Sequence, residues 1–203
     1  MKRMTVKLTF TEEMLGTKPA DPEIYSTYVS PKEDEKKDEE LAALPEMEQD
    51  DKGVTVFARD ENGEPAIWDY QIKGFFKDAC SMLRRVDGTL SKKMTAYKKI
   101  IDGLVFVKPR LIPITVSGEM GFCERPLRAQ TMQGERVSLA KSETVPAGST
   151  IEFTVFCLKN NDMGIVKELL DYGELRGLGQ WRNSGKGTFT YEIIEEKTVG
   201  LSD

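Results

Sequence analysis

The segment 177–187 constrains this chain more than any other. Gly177-Leu178-Gly179 and Gly185-Lys186-Gly187 bracket five residues, Gln180, Trp181, Arg182, Asn183 and Ser184. Glycine carries an entropic cost that an ordinary surface turn avoids. It is used where backbone must take a positive φ or let another backbone come close. A helix-like stretch over residues 162–172 precedes the segment and a strand-like one over 188–194 follows. It is therefore read as a loop held at both ends by regular structure. Consecutive amides in such turns can converge on an anion, typically a phosphate. Paired Gly-x-Gly spacings alone are a weak signal, so the weight rests on what accompanies them.

The chain has 203 residues, enough for one large domain or one domain with a sizeable insertion. No run of 18 apolar residues occurs, so no membrane-spanning helix is expected. The first ten residues alternate like a strand and lack the apolar core of a signal peptide. The expected location is cytoplasmic, with no membrane partner. Cys80, Cys123 and Cys157 lie far apart among apolar residues, with no C-x-x-C pair. That pattern predicts buried free thiols rather than a disulfide framework or a zinc site. Histidine is absent. The commonest general base and the commonest metal ligand are thus missing, and no cofactor or metal pattern is read.

Charge is segregated. The net charge is −5, yet residues 32–51 hold ten acidic and three basic side chains, while residues 73–99 hold eight basic and two acidic ones. The run 32–40 contains only charged residues. Such blocks are usually solvated; the functional alternative is an acidic flap over a basic groove.

Residues 4–10 alternate as a half-buried strand, with Val6, Leu8 and Phe10 on one face. Residues 11–30 read mostly as loop. Asn62-Gly63 marks a hairpin turn between strands 54–58 and 66–72. Residues 73–85 read as a helix with Phe75, Phe76, Ala79, Cys80, Met82 and Leu83 on its apolar side. A second, more basic helix spans 91–101 with Ser91 as N-cap. Strands follow at 104–107 and 112–116, then an extended excursion at 118–133 and alternation at 136–140. Pro146-Ala147-Gly148 turns the chain into a strand over 150–158. Reduced to its regular elements, the order predicts an α+β fold. It has a ferredoxin-like (RRM-like) βαββαβ core, a long N-terminal insertion and a β-hairpin or thumb-like excursion. Such a sheet carries helices on one face and leaves an open face that can bind single-stranded nucleic acid.

Three places resemble the RAMP superfamily, the ferredoxin-like subunits of multi-subunit CRISPR effector complexes. Segment 177–187 resembles the family's terminal G-h-G-x5-G-h-G loop, with Lys186 where an apolar residue is usual. Gln71-Ile72-Lys73-Gly74-Phe75-Phe76-Lys77 resembles the Lys-Gly motif opening the first helix of backbone-type members. Arg136-Val137-Ser138-Leu139 and the run 145–153 resemble their strand–turn–strand before the second helix. The motifs occur in the family's order and touch much of residues 70–195, while 11–66 and 117–135 have no counterpart. The resemblance implies one RAMP-like domain over residues 1–203. Within it, 11–66 is an acidic insertion plus hairpin and 117–135 an extended excursion. It also implies an RNA-binding backbone-type subunit, partnered by other RAMP-type subunits or by copies of itself. Members that cut RNA use a histidine or a loop aspartate. Asp21, Asp60 and Asp69 are available here but lie outside any matching motif, so no catalytic residue is carried over.

Lysine and arginine neutralise phosphates, which makes Lys73, Lys77, Arg84 and Arg85 nucleic-acid candidates; a solvated helix surface is the alternative. Arg125, Arg128 and Arg136 bracket the excursion and are candidates on the same ground, against an ordinary surface hairpin. In the loop, Gly177, Gly179, Gly185, Lys186 and Gly187 supply backbone and charge. Trp181 offers a base-stacking platform and Arg182 a planar cation, against a Trp181 that merely plugs the loop onto the domain. The expected function is non-catalytic binding of single-stranded RNA, or of single-stranded DNA, within an oligomer or ribonucleoprotein. Two alternatives stand: a protein-interaction module that docks on or mimics RAMP subunits, and a histidine-free endoribonuclease.

Overall fold

The structure is a computed structural model. It describes residues 1–20, 54–131, 134–159 and 162–200, with backbone alone over 127–131 and 134–138. The charged run 32–40, the acidic stretch 32–51 and Asp21 lie outside the described residues.

Strand β1 (Lys2–Phe10) leads to short strands β2 (Met14–Leu15) and β3 (Lys18–Pro19). Past residue 53 come β4 (Val54–Val56), β5 (Ala58–Arg59), β6 (Pro65–Trp68) and helix α1 (Asp69–Leu83). A 3-10 turn, Ser91–Lys93, precedes α2 (Tyr97–Leu104), β7 (Val105–Lys108) and β8 (Leu111–Thr115). Then follow β9 (Gly121–Thr131), β10 (Gly134–Val145), β11 (Thr150–Cys157) and α3 (Asp162–Asp171). One further turn, Gly173–Arg176, and a 3-10 turn, Arg182–Ser184, lead into β12 (Phe189–Thr198).

The larger sheet runs β12-β1-β11-β8-β6-β5, with β7 also on β11; the smaller runs β2-β10-β4-β3, with β9 on β10. The last strand thus forms the edge of the larger sheet beside the first, in an α+β fold consistent with a ferredoxin-like core. The alternation of β1 puts Met4, Val6, Leu8 and Phe10 into the core. There they meet Ile72, Phe75, Phe76 and Ala79 of α1 and Val166, Leu169 and Leu170 of α3. Phe189 packs edge-on against both Phe10 and Phe75. Full burial of such a side chain stabilises the fold by roughly 1.5–3 kcal/mol.

The face of β1 turned from this core carries polar side chains. Thr5, Lys7 and Thr9 lie opposite Thr154, Glu152 and Thr150 of β11 and opposite Glu195, Glu192 and Thr190 of β12. RRM-type recognition stacks bases on aromatic residues of that face. Threonines and opposed charges occupy these positions, and the same face continues through Phe156 of β11, opposite Arg3, to Phe106 of β7, which is 41% exposed.

Local boundaries also differ. The strand expected over 66–72 stops at Trp68, because Asp69 and Gln71 start a helix there. Asp69 sits in its first turn, and the Trp68 N–H donates to Gln71 Oε1 at 2.8 Å. Ser91 does not cap a helix over 91–101. It is buried, and its N–H and hydroxyl both donate to Glu168 of α3, so regular helix begins only at Tyr97. The stretch 118–133, expected as an extended excursion, is largely β9, paired antiparallel with β10 from Gly121↔Thr144 to Thr131↔Gly134. Residues 11–20, expected to be mostly loop, carry the two-residue strands β2 and β3. The Asn62-Gly63 turn forms as expected, with Asp60 Oδ1 accepting the N–H groups of Asn62 and Glu64, each at 2.9 Å. Cys80 and Cys157 are buried free thiols, but Cys123 is only half-buried.

Candidate nucleic-acid interface

The two Gly-x-Gly units clamp each other. Gly177 and Gly187 have φ of 73° and 71°. A Cβ on Gly187 would stand 1.9 Å from the Leu178 carbonyl oxygen, and one on Gly177 would stand 2.6 Å from the backbone of Gly187. The Leu178 N–H donates to Gly187 O at 2.8 Å, and the Gly187 N–H donates to Glu13 O at 2.9 Å. The Leu178 side chain is buried in the core. Gly177, Ser184 and Gly185 also donate their amides to carbonyls nearby. The expected phosphate cradle of converging amides is therefore not formed by these groups. The glycines permit close backbone approach instead, and the amides of Gly177, Gly185 and Gly187 are already used.

What the clamp presents is Trp181. Its backbone is left-handed, φ 53° and ψ 33°, and it is the non-glycine residue with positive φ among those described. Such strain persists only where the surroundings over-determine it. The ring is 41% exposed, so Trp181 is not a buried plug. Arg125, 7% exposed, sets its guanidinium carbon 5.5 Å from the ring centroid. Arg125 Nη1 donates to Ser142 Oγ at 3.2 Å and Nη2 to Gln180 Oε1 at 2.7 Å. Gln180 Nε2 donates in turn to Gly16 O and Thr55 Oγ1, at 3.0 and 3.2 Å. Two residues from the hairpin β9–β10 and one from the loop thus fix a cation against a half-exposed indole, a contact favourable in itself.

Arg182 is held rather than projecting. Its Nη1 donates to Asp78 Oδ2 of α1 at 2.9 Å, and Arg176 Nε donates to the same oxygen at 3.0 Å. Lys186 pairs with Glu13 at 2.8 Å, which raises its pKa. The α1 cations do not join this group. Lys73 and Lys77 reach toward α2, donating to Asp102 O and Asp102 Oδ1, both at 3.0 Å. Arg84 lies 5.1 Å from the Tyr97 ring centroid and Arg85 is exposed at the far end of the helix. The backbones of Arg128 and Arg136 lie in β9 and β10.

A cleft of about 550 Å³ opens beside the loop, between residues 14–19, the hairpin β5–β6 and the first turns of α1. At its rim Trp68 and Tyr70 stack with centroids 6.2 Å apart and planes at 11°. The Arg110 guanidinium lies 5.9 and 6.0 Å from the two ring centroids, and Asp69 anchors it at 3.0 Å. Sequence reading missed this trio. Trp68 and Tyr70 straddle a strand–helix boundary, and Arg110 arrives from the far side of β7. Their one trace is an aromatic pair two residues apart.

No family model matches the sequence, and no curated protein matches it. Solved structures do match. One is a chain in the cryo-EM structure of Type III-B Cmr-beta bound to cognate target RNA: TM-score 0.52, 13% identity, 97% of this chain and 60% of that chain covered. The two share a fold. This chain spans about 60% of that neighbour's length. A chain of the Type IV-B CRISPR complex is similar with TM-score 0.49, 11% identity, 98% of this chain and 92% of that chain.

The aspartates considered for catalysis are engaged locally where they are described. Asp60 caps the hairpin turn and Asp69 holds Arg110. The described residues bring together no cluster of three or more metal-ligating side chains, and no helix among them is long and apolar enough to cross a membrane. Chemically the arrangement is one of flat π surfaces backed by fixed guanidinium groups, which favours stacking and charge neutralisation.

Proposed function

We propose that this chain is a non-catalytic single-stranded RNA-binding subunit of a CRISPR-type effector ribonucleoprotein. In this reading it is one RAMP-like domain over residues 1–203 on a βαββαβ core of the backbone type. Residues 11–66 form its acidic insertion plus hairpin, and 117–135 its excursion. The observation that carries the reading is Trp181: strained, 41% exposed and backed by the buried Arg125. A base stacked on such an aromatic is worth about 1–3 kcal/mol by alanine substitution. The fold shared with a chain of an RNA-bound assembly supports the reading.

The test is binding of a labelled single-stranded RNA by the full chain, with single-stranded DNA as competitor. Trp181→Ala is expected to weaken RNA binding by about 5- to 150-fold, the equivalent of one lost stack. Trp181→Ala with Arg182→Ala should abolish it. The affinity should also fall as salt rises, because cations that meet phosphates release counterions. RNA affinity untouched by the double change overturns the assignment to this loop.

A second reading, docking on other subunits or on copies of this chain, is favoured by the hairpin β9–β10, where Phe122 is 58% and Leu139 42% exposed. Light scattering with absorbance at 260 and 280 nm separates the two. A particle carrying RNA supports the first, and a nucleic-acid-free assembly supports the second.

A further inference from the structure

Gly74 stands inside α1, where a glycine costs stability relative to alanine. A Cβ built there would meet nothing within 4 Å. No close packing within the described chain requires the bare position. Gly74 instead lines the cleft of about 550 Å³, within the size range of small-ligand sites. The floor is apolar, with Met14, Phe57, Ile67, Phe75 and Leu178, and the polar groups are few: Thr17, Lys18, Gln71 and Arg182. Thr17 and Gln71 hydrogen-bond each other.

The cleft adjoins the Trp181 platform. Gly179 and Arg182 wall both the cleft and a shallower depression of about 320 Å³ bounded by Trp181 and Asn183. At the opposite rim lie the stacked Trp68 and Tyr70, with Arg110 beside them and its side chain 71% exposed. A flat apolar slot, aromatic at its rim and flanked by guanidinium groups, suits a planar base attached to phosphates. Guanidinium forks match phosphate geometry, and unstacked bases are recognised by stacking on aromatic rings.

We infer that the cleft is a nucleobase pocket: one unstacked base of the strand gripped at Trp181 enters it and lies against Trp68 and Tyr70. Arg110, exposed at the rim, meets a flanking phosphate, the held Arg182 adds positive charge at the wall, and the bare Gly74 backbone leaves room for the base. This inference rests on the RNA-binding reading above.

The chain contains two tryptophans, so Trp181→Phe leaves Trp68 as the single indole reporter while keeping an aromatic ring on the loop. The full chain carrying that change is titrated with a short mixed-sequence single-stranded RNA. Trp68 emission and the anisotropy of the labelled strand are both followed. The expected result is saturable quenching of Trp68 that tracks binding. Adding Gly74→Leu should remove the quench and weaken binding about tenfold, the scale of one lost stacked base. Its melting temperature should not fall, since leucine is the better helix former. RNA bound with Trp68 emission unchanged overturns the pocket and leaves the proposed function standing, as does Gly74→Leu with affinity intact. Absence of RNA binding by the unsubstituted chain overturns both. Free AMP and UMP form the second arm. Quenching by nucleotide and strand alike supports a pocket that reads the base itself, and quenching by nucleotide alone overturns the strand as its source.

Discussion

Gly185 and Gly187 share the sign of φ but not the same surroundings. Both have a positive φ, 80° and 71°. A side chain on Gly185 meets open space, whereas one on Gly187 runs into the Leu178 carbonyl oxygen. Gly185→Ala should therefore cost about 1–2 kcal/mol, the left-handed penalty alone. Gly187→Ala adds an overlap with backbone that cannot rotate away, and should cost clearly more, on the order of 3 kcal/mol or above. Urea unfolding of the two variants compares them directly, and equal midpoints would disprove the clamp. The glycines were legible in the sequence because spacing alone marks them. What they do was not: the amides of Gly177, Gly185 and Gly187, read as part of a phosphate cradle, are bonded to carbonyls. The pairing of Arg125 with Trp181 was equally hidden, since it depends on a hairpin register that no local pattern encodes.

Among the elements, boundaries were misread wherever a distant residue decides them. Ser91 looks like an N-cap, but Glu168 on α3 anchors it through both of its donors and only the 3-10 turn Ser91–Lys93 follows. The start of α1 was masked by apolar alternation running into Trp68. The strands of the core were legible, because burial on one face imposes a period of two. Strand β12 is tied to its neighbours by Glu196, which pairs with Lys2 of β1 at 3.2 Å and Lys167 of α3 at 2.6 Å. The bond from Lys167, with Lys2 adding to it, lowers the Glu196 pKa from 4.5. A carboxylate lowered in the folded state contributes stability above its unfolded pKa and loses it as pH falls through the folded one. Glu196→Gln should thus be less stable than the parent chain at pH 7. The deficit should shrink to nothing well below pH 4.5. A deficit independent of pH would mean that packing, not charge, is what the residue supplies.

On the scale of the whole molecule, the α+β class and the half-buried first strand followed from the sequence. The second sheet did not, because short strands such as β2, β3 and β4 leave too few residues for a period to show. The join between two of them has a separate consequence. Strand β3 pairs with β4 through Lys18↔Val56 and Pro19↔Thr55. The Ala20 N–H donates to Val54 O at 3.0 Å. Residues 20 and 54 therefore stand side by side, joined by this hydrogen-bonded rung. Replacing residues 21–53 with a short Gly-Ser turn should keep the fold, with a melting temperature within about 2–4 °C of the parent, the equivalent of roughly 1 kcal/mol. A collapse of the melting transition would show that the excised residues hold the sheet together. If the rung alone closes the ends, this position behaves as an interchangeable cassette. Lineages or engineers can lengthen, recharge or delete what lies between residues 20 and 54 while the core below keeps its geometry.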